Sequence, residues 1–450
     1  MEKDRKSKIS LLSYSQKLVV GFAVIIAVGT VLLMLPVSTK NGESTSFVNA
    51  LFTSTSAACV TGLATYDTFT HWTRFGQIVI LLLIQLGGLG FMSFAVIGAI
   101  LTKRKISLKQ RELMQEAINV NQLGGIVRLF KIILKGTLIC ECAGAVLLAV
   151  RFIPKLGPAE GIYYAIFHSI SAFCNAGFDL MGRYEKYSSF TSFVDDPYVN
   201  IVIMLLIIIG GIGFYVWDDI LKNRFRFSRF SLHTKIVLVT TSVIIFFPAV
   251  LFFCFERTHA FSGLDIGDSV VASFFQSVTL RTAGFNTVDQ SELSGSSLLM
   301  CNILMLIGGS PGSTAGGIKT TTIAVLFLST LSELRNHKSV TVFERRLEDD
   351  LLRRVIAILF VYCAMEFAGT MAISQLENMP VEYASFGVFS AVSTVGLFIG
   401  TVGSLSTASR VILIFLMFFG RIGGLSMAMA FTKPYINPPL QYPAEKISVG

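Results

Sequence analysis

Long apolar windows separated by short polar stretches run along the whole chain. Within each successive pair of windows lies a further apolar segment of about a dozen residues, too short to cross a membrane and therefore predicted as a re-entrant half-helix. The pattern predicts an all-α membrane protein with eight transmembrane helices and four re-entrant helices. The long windows, each of about 20 residues and able to cross a hydrocarbon core of about 30 Å, start near Leu18, Gln77, Ile132, Tyr198, Lys235, Leu298, Val355 and Val411.

The four short segments are copies of one unit. Each ends at a glycine, and a phenylalanine and an alanine recur at fixed places before that glycine. The chain is therefore predicted to contain four diverged repeats of roughly 110 residues. The matching positions are Gly62, Gly177, Gly284 and Gly396; Phe52, Phe167, Phe274 and Phe386; and Ala50, Ala165, Ala272 and Ala384.

Composition agrees with a membrane protein. The 450 residues are 53% hydrophobic and only 14% charged, with a mean hydropathy of +0.67, which excludes a set of soluble domains. The first apolar run, Leu18 to Leu35, is too long for a signal peptide and lacks a small-residue cleavage site. We interpret it as a retained span.

The net charge of +9 comes largely from basic residues in alternate loops. By the positive-inside rule, these loops and both termini face the cytoplasm. The basic patches are small and lie next to the membrane, so they are expected to contact anionic lipid headgroups or a cytoplasmic protein partner and not nucleic acid. They contain Lys103, Arg104, Lys105, Lys109, Arg111, Arg128, Lys131, Lys222, Arg224, Arg226, Arg229, Lys235, Arg335, Lys338, Arg345, Arg346, Arg353 and Arg354.

Because each repeat contributes an even number of spans, all four half-helices enter from the same, outer, side. Four parallel repeats of the form M1, pore loop, M2 can then surround a central pore. The C-terminal end of a half-helix favours a cation, and the glycine after it can turn carbonyls towards the axis to replace an ion's hydration shell. The alternative, four glycine bends used only for close packing, stays open. The predicted ion-binding residues of the selectivity filter are Val60, Thr61, Gly62, Asn175, Ala176, Gly177, Thr282, Ala283, Gly284, Thr394, Val395 and Gly396.

A second unusual stretch runs from Gly308 to Thr320 inside an apolar window. Glycine, serine and proline cannot hold an uninterrupted helix there, and irregular backbone at membrane depth requires burial or a water-filled cavity. The stretch follows Gly284 and is expected below it, on the cytoplasmic side. It does not match a nucleotide-binding P-loop, because Ile318 separates Gly317 from Lys319 and breaks the Walker pattern.

Several charged residues lie in or beside apolar segments. Arg421, inside the last window, is costly there unless it faces a cavity or a partner. It either faces a cavity or forms a salt bridge with Glu141 or Glu366. Arg281 is expected behind the third filter stretch, where it would bond carbonyls or an outer acid. Two acids of the outer loops either enrich cations at the mouth or are solvated, namely Asp67 and Asp289.

Enzymatic motifs are missing from the sequence: it contains no His-Glu-x-x-His, no Gly-x-Ser-x-Gly and no intramembrane aspartate pair. No span carries an arginine at every third residue, which disfavours voltage sensing. The spacing of Cys140 and Cys142 disfavours a metal site. The chain is therefore predicted not to be an enzyme, and the open alternatives are a gated cation uniporter and an ion-coupled secondary symporter.

On these motifs the chain resembles the membrane subunit of the Ktr/Trk/HKT superfamily of potassium transporters. The resemblance covers essentially the whole chain and rests on the four pore repeats, on Arg281 to Asn286 and on Gly308 to Thr320. Only a short tail precedes the first span, which favours the Ktr branch. The expected organisation is a cytoplasmic tail at 1–16, repeats at 17–103, 127–222, 232–333 and 350–432, a gating loop at 308–320 within the third repeat, and a cytoplasmic tail at 433–450.

The resemblance implies potassium uptake across the bacterial plasma membrane by a homodimer in which each subunit has its own pore. It also implies an octameric cytoplasmic ring of nucleotide-binding subunits that binds ATP or ADP, with no cofactor in this chain. Sodium or proton coupling, or sodium selectivity, is the alternative within the same fold. The implied gating residues are Arg421 and, in the intramembrane loop, Gly308, Gly309, Ser310, Pro311, Gly312, Ser313, Thr314, Ala315, Gly316, Gly317 and Lys319.

Overall fold

The computed structural model describes residues 13–90, 112, 126–337, 339–348 and 350–423, and most of these belong to helices. The strands among them, β1 (Thr341–Val342) and β2 (Arg345–Arg346), form one short antiparallel hairpin. The predicted all-α fold is confirmed. The basic segment around Lys103, Arg104 and Lys105, most of the N-terminal tail and the whole C-terminal tail lie outside the described residues.

The helices repeat the same order four times: a long helix, a half-helix and a second, shorter or broken helix. The first repeat contains α1 (Tyr14–Met34), α2 (Phe47–Ala58), the single turn α3 (Thr68–His71) and α4 (Arg74–Leu89). The second contains α5 (Ile126–Leu156), α6 (Pro158–Phe173), α7 (Pro197–Gly211) and α8 (Phe214–Lys222). The third contains α9 (Leu232–Glu256), α10 (Ile266–Thr279), α11 (Gly295–Leu306) and α12 (Thr320–Leu334), and the fourth α13 (Asp350–Glu377), α14 (Val381–Val392) and α15 (Thr407–Ile422).

The first helix of each repeat is a continuous span. Within the described part of the chain, α1, α5, α9 and α13 are long and apolar enough to cross a membrane. Serine is the N-cap residue of two of these helices. Ser13 and Gln16 form a capping box at α1, and the Ser231 side chain accepts a hydrogen bond from Thr234 N at α9. Such caps satisfy backbone N–H groups that a helix leaves unpaired. The chain is thus a multi-pass membrane protein.

The second helices are shorter than the apolar windows, and glycines near their C-terminal ends bring them against the half-helices. A Cβ built on any of three such glycines would lie less than 3.0 Å from the last carbonyl oxygen of the half-helix in the same repeat. Small residues permit this approach of two backbones. The pairs are Gly87 with Ala58, Gly210 with Phe173 and Gly420 with Val392.

Two of the second helices are interrupted. In the third repeat the helix stops at Leu306 and resumes at Thr320, as the composition of that stretch indicates. In the second repeat α7 and α8 are bent by 91°, and Gly213 at the bend has a φ of 100°. This bend is not among the sequence predictions, although three glycines between positions 210 and 213 mark it.

Each of the first three half-helices is tied to the first helix of its repeat by a serine hydroxyl that donates to a main-chain carbonyl. In the second repeat, Gly144 makes room for this contact, since a Cβ there would lie 2.5 Å from Ser169 Oγ and 2.8 Å from Leu206. The hydrogen bonds join Ser54 to Ile26 at 2.8 Å, Ser169 to Glu141 at 2.7 Å and Ser277 to Ile245 at 2.8 Å.

Replacing Gly144 by alanine is expected to lower the thermal stability of the protein. The added Cβ meets Ser169 and Leu206, and overpacking of this kind costs about 1–3 kcal/mol. Gly267→Ala in α10 is the matched control, because nothing lies within 4 Å of a Cβ there. The midpoint of thermal unfolding, followed by size-exclusion chromatography of heated samples, should fall for Gly144→Ala alone. Equal midpoints for the two variants would contradict this packing.

Candidate functional site

The four half-helices end in the same unusual backbone geometry. The first residue of each predicted filter stretch has a φ between 54° and 64°, and the glycine two places later has a φ between 69° and 102°. Side-chain-bearing residues seldom adopt positive φ, so its recurrence at one place in four repeats indicates a conformation imposed by the surrounding structure. The four non-glycine residues are Val60, Asn175, Thr282 and Thr394.

The four glycines form a closed ring. A Cβ built on each would lie less than 3.0 Å from the carbonyl oxygen of the middle residue in the next stretch. The contacts run through the repeats in chain order and return from the fourth to the first. No side chain fits between these backbones, so each position requires glycine. The pairs are Gly62 with Ala176, Gly177 with Ala283, Gly284 with Val395 and Gly396 with Thr61.

Hydroxyl groups on the half-helices fix the backbone around this ring, which we call the glycine ring. In the first and fourth repeats, the N–H of the ring glycine donates to Ser56 Oγ at 3.1 Å and to Ser390 Oγ at 2.9 Å. In the second, Ser171 donates to the Phe178 carbonyl at 2.6 Å. In the third repeat, where the matching residue is valine, Thr279 donates to the Phe285 carbonyl at 2.5 Å. Alignment of the repeats on their glycines missed Thr279, because the residue that aligns with Ser56, Ser171 and Ser390 is Val278, one position before it.

On the side of the ring that is predicted to face outward lies an open cavity of about 810 Å³, lined by the four ring glycines and by several acids. Asp67 lines it but also caps α3 by accepting from Thr70 N at 2.7 Å, and Asp289 accepts from Ser291 N at 2.9 Å. Asp67 and Asp289 therefore both line this cavity. Sequence reasoning missed Asp179, whose pKa is raised to about 7 by its burial and then by the charge of Asp67.

Arg281 is buried, with only 2% of its surface exposed. The expected hydrogen bonds to carbonyls or to an outer acid are missing for two of its nitrogens, since Nε and Nη2 have no partner within the described residues. Its main-chain carbonyl accepts from Asn175 Nδ2 at 3.2 Å. The backbone of Arg281 therefore links the third filter stretch to the second.

The irregular stretch between α11 and α12, residues 307–319, packs against the bend between α7 and α8. Ser310 N donates to the Gly211 carbonyl at 2.9 Å, and Phe214 N donates to the Gly312 carbonyl at 2.7 Å. Its own ends are held together by a parallel bridge between Ile307 and Ile318. These backbone hydrogen bonds satisfy the polar groups that a broken helix leaves unpaired at membrane depth.

The same stretch touches the inner ends of two filter stretches. Thr314 Oγ1 lies 3.2 Å from the Phe173 carbonyl and 3.3 Å from Asn175 Oδ1, below the second stretch. A Cβ built on Gly316 would lie less than 3.0 Å from Thr394 Oγ1, in the fourth stretch. The loop is thus in direct contact with the filter stretches on the side away from the outer cavity.

Two cationic side chains lie on carbonyls of this loop. The Arg421 guanidinium donates to the carbonyl oxygens of Thr314 and Gly87 and, at 3.3 Å, to that of Gly88. Lys319 Nζ donates to the Ala315 carbonyl at 2.8 Å and to the Gly316 carbonyl at 3.3 Å. Arg421 therefore joins the end of α4 to the loop residue, Thr314, that contacts the second filter stretch.

The alternative of a salt bridge from Arg421 to Glu141 or Glu366 is wrong for the described residues. The Glu141 carboxylate accepts from Gln85 Nε2 at 3.0 and 3.1 Å instead, and Glu366 Oε1 has no hydrogen-bond partner there. Carbonyl oxygens, which cost less to bury than a carboxylate, satisfy the guanidinium. The sequence could not reveal these acceptors because main-chain atoms leave no residue-type signal.

The chain is similar in sequence to known cation transport proteins. The family model described as "Cation transport protein" (TrkH) matches residues 2–437. The Ktr system potassium uptake protein B of Bacillus subtilis is 40% identical over the full length of both chains. The potassium/sodium uptake protein NtpJ of Enterococcus hirae is 38% identical over 98% of each chain.

A solved structure has the same fold. The crystal structure of the potassium transporter TrkH from Vibrio parahaemolyticus aligns with a TM-score of 0.76, covering 94% of this chain and 86% of that one at 18% identity. The repeated M1, pore loop, M2 architecture predicted from the sequence is thereby confirmed. The relatives are transport proteins, which agrees with the prediction that the chain is not an enzyme.

Proposed function

Since the chain belongs to the TrkH cation transport protein family, we propose that it takes up potassium across the cell membrane through the glycine ring. The observation that carries this proposal is the closure of the ring by main-chain atoms of all four repeats. Carbonyl oxygens held at a fixed spacing replace the hydration shell of a cation. The negative ends of four half-helices add a favourable potential at the same place.

The proposed selectivity filter comprises the three residues of each stretch, with main-chain oxygens as the principal ligands. Side-chain oxygens contribute at its inner end. Within the described residues, Thr282 Oγ1 and Thr394 Oγ1 are buried without a hydrogen-bond partner, so both are available to an ion. The first repeat has Val60 at this position, so the four repeats do not offer equal ligands. We therefore expect few coordination rings in which all four repeats contribute equivalent ligands.

The relatives do not all carry the same ion in their names. The Bacillus protein is called a potassium uptake protein and the Enterococcus protein a potassium/sodium uptake protein. Sodium-coupled or proton-coupled symport, or sodium selectivity, is therefore the second candidate. Flux through proteoliposomes against imposed sodium and proton gradients discriminates the two, because only a coupled carrier moves potassium uphill when one of these gradients is applied.

Serine at Gly62 is expected to reduce the preference for potassium over sodium by about tenfold, which corresponds to about 1.4 kcal/mol of differential binding. The reason is steric: the new Cβ meets the Ala176 carbonyl and strains a residue with φ of 97°. Gly42→Ser is the matched control, since Gly42 also has a positive φ but nothing within 4 Å. Bi-ionic potentials in proteoliposomes measure the preference. Unchanged selectivity after serine substitution of all four ring glycines would refute the filter.

We further propose that the loop at 308–320 obstructs the path beneath the filter and that Arg421 holds it there. The loop lies in contact with two filter stretches, and Arg421 and Lys319 add positive charge at the same depth. A positive charge repels a cation most strongly where water is excluded. Opening then requires the loop to leave the Arg421 and Gly211 contacts.

Arg421→Ala should raise potassium flux several-fold, because it removes both the charge and the contact with Thr314. Arg421→Lys is the control, because lysine keeps the charge but cannot donate to the Thr314 and Gly87 carbonyls with the geometry of a guanidinium. Its flux should lie between those of the wild type and the alanine variant. Removal of Ser310 to Gly316 should also raise flux. Rubidium uptake into proteoliposomes, normalised to folded protein, measures all three. A well-folded alanine variant with unchanged or lower flux would exclude the barrier.

The proposal includes a homodimer with both termini in the cytoplasm and a soluble, octameric nucleotide-binding ring beneath it, with ATP or ADP bound by that ring. The relative from Bacillus is named as a component of a system, the Ktr system, which supports the presence of a partner subunit. The β1–β2 hairpin of this chain presents Arg345 and Arg346, both exposed, on the predicted cytoplasmic side. A ligand shifts a gate only by binding its states unequally. The hairpin offers the ring a contact surface for this purpose.

Replacing Arg345 and Arg346 by glutamate is expected to abolish the response of potassium flux to ATP and ADP while leaving ion preference intact. The charges reverse on the proposed docking surface, whereas the filter is untouched. Lys155→Glu, on the opposite side of the membrane, is the control and should respond normally. Flux of the membrane protein reconstituted with and without the nucleotide-binding subunit measures the effect. A nucleotide response from this polypeptide alone would show that the regulatory site lies elsewhere.

A further inference from the structure

The segment from Phe214 to Arg229, which we call the surface segment, leaves the bundle at a right angle. Its helix α8 is bent by 91° from α7. The turn that follows α8 leads directly into α9, which begins at Leu232 and is long and apolar enough to cross the membrane, so this turn lies at a membrane surface. In the proposed orientation this is the cytoplasmic surface. The end of the segment, residues 223–229, is therefore placed near the level of the lipid headgroups by its position directly before α9.

Apolar and basic side chains are both exposed on the surface segment. Leu221 is 63% exposed and Phe225 79% exposed. Phe225 lies between two exposed arginines, Arg224 and Arg226, and a third, Arg229, follows. A helix and turn that expose apolar groups beside basic ones are typical of segments that lie in a membrane interface. Arginine stems and aromatic rings there contact acyl chains while the charged groups reach phosphates.

The three arginines have no ion-pair partner within the described residues, whereas the nearby acids are occupied. Asp218 pairs with Lys222. Asp219 accepts from Ser231 N at 2.9 Å and from Asn223 Nδ2 at 2.7 Å, which ties the end of the segment back to α8. The positive charge of the turn is thus not neutralised by its own acids and is complementary to an anionic surface.

The turn is held in a defined, strained shape. Arg224 and Phe225 both have positive φ, at 49° and 61°, a conformation that costs a side-chain-bearing residue free energy. In this shape Phe225 projects from the protein and not into its core. Such strain at an exposed turn points to a function of the turn itself.

The surface segment is joined directly to the loop beneath the filter. The N–H of Phe214, its first residue, donates to the Gly312 carbonyl at 2.7 Å. Gly213, immediately before it, is so close to the loop that a Cβ would lie 2.7 Å from the Pro311 carbonyl. A displacement of α8 must therefore strain or break a contact with the loop.

We propose that Arg224, Arg226 and Arg229 bind anionic phospholipid headgroups and that this binding keeps the loop in its place beneath the filter. This inference rests on the proposed function for its effect on flux, but the lipid contact itself does not. The ligand is a phospholipid with a net negative headgroup, such as phosphatidylglycerol. Each arginine near an anionic surface contributes roughly fivefold in affinity.

The first test counts lipids without any transport assay. The full-length protein, a variant with Arg224→Gln, Arg226→Gln and Arg229→Gln, and a matched variant with lysine at the same three positions are purified and examined by native mass spectrometry with added phosphatidylglycerol. The glutamine variant should retain fewer phosphatidylglycerol molecules, and the lysine variant as many as the wild type. Equal retention by the wild type and the glutamine variant would overturn the lipid contact.

The second test measures rubidium flux in vesicles of phosphatidylcholine and of phosphatidylcholine mixed with phosphatidylglycerol. Wild-type flux should be lower in the mixed vesicles, and the glutamine variant should lose this difference. Phe214→Pro removes the N–H that donates to Gly312, at a helix position that tolerates proline, and Phe214→Ala controls for the lost ring. The proline variant should retain lipid but lose the flux difference that the alanine variant keeps.

Equal wild-type flux in the two lipids, or a proline variant with the wild-type difference, would overturn the coupling to the loop. If the glutamine variant keeps both lipid retention and the flux difference, and loses only the response to the nucleotide-binding subunit, the patch is a protein docking surface and the lipid proposal is wrong. A wild type that retains phosphatidylglycerol but carries no rubidium in either lipid contradicts the proposed function and leaves the lipid site standing.

Discussion

The arrangement of this chain depends on one steric constraint: four glycines meet main chain to main chain, with no room for a side chain between them. For that contact to close, four half-helices must end at the same depth and point at one axis. Four first helices must support them from outside, and the second helices must come close enough to hold their ends. Gly87, Gly210 and Gly420 permit this close approach of the second helices, because each packs against the last carbonyl of a half-helix. The repeat is thus the smallest unit from which the ring can be built.

The electrostatics beneath the ring follow from how the backbone is arranged there. The half-helices, the end of α4 and the irregular loop all leave carbonyl oxygens without helical partners. Arg421 and Lys319 take up several of these oxygens. A buried guanidinium is tolerable only when its N–H groups are bonded, and here that requirement fixes the loop against α4. The same contacts therefore compensate the charge of Arg421 and hold the loop in the place where we propose that it obstructs the path.

Sequence patterns located the repeats, the ring glycines and the broken helix because each leaves a local signature. Apolar windows, a glycine at a fixed position and a run of glycine, serine and proline can all be recognised without knowing the tertiary contacts of these residues. The partners of Arg421 could not be read, because they are main-chain carbonyls contributed by distant repeats. Thr279 was missed for a related reason: its hydroxyl reaches the position that serine reaches elsewhere, but from the next residue along the helix. The bend at Gly213 needed the loop of another repeat to explain it.

The four repeats are similar in fold but not equal, and their differences are complementary. The second repeat bends its second helix, which leaves Gly210 and Gly211 with free carbonyls and Phe214 with a free N–H. The third repeat breaks its second helix, and the loop so formed supplies the matching groups at Ser310, Gly312 and Thr314. Neither irregularity would be tolerable alone at membrane depth, because each would leave backbone groups unpaired. The two irregular helices therefore depend on each other, and the proposed gating loop lies where they meet.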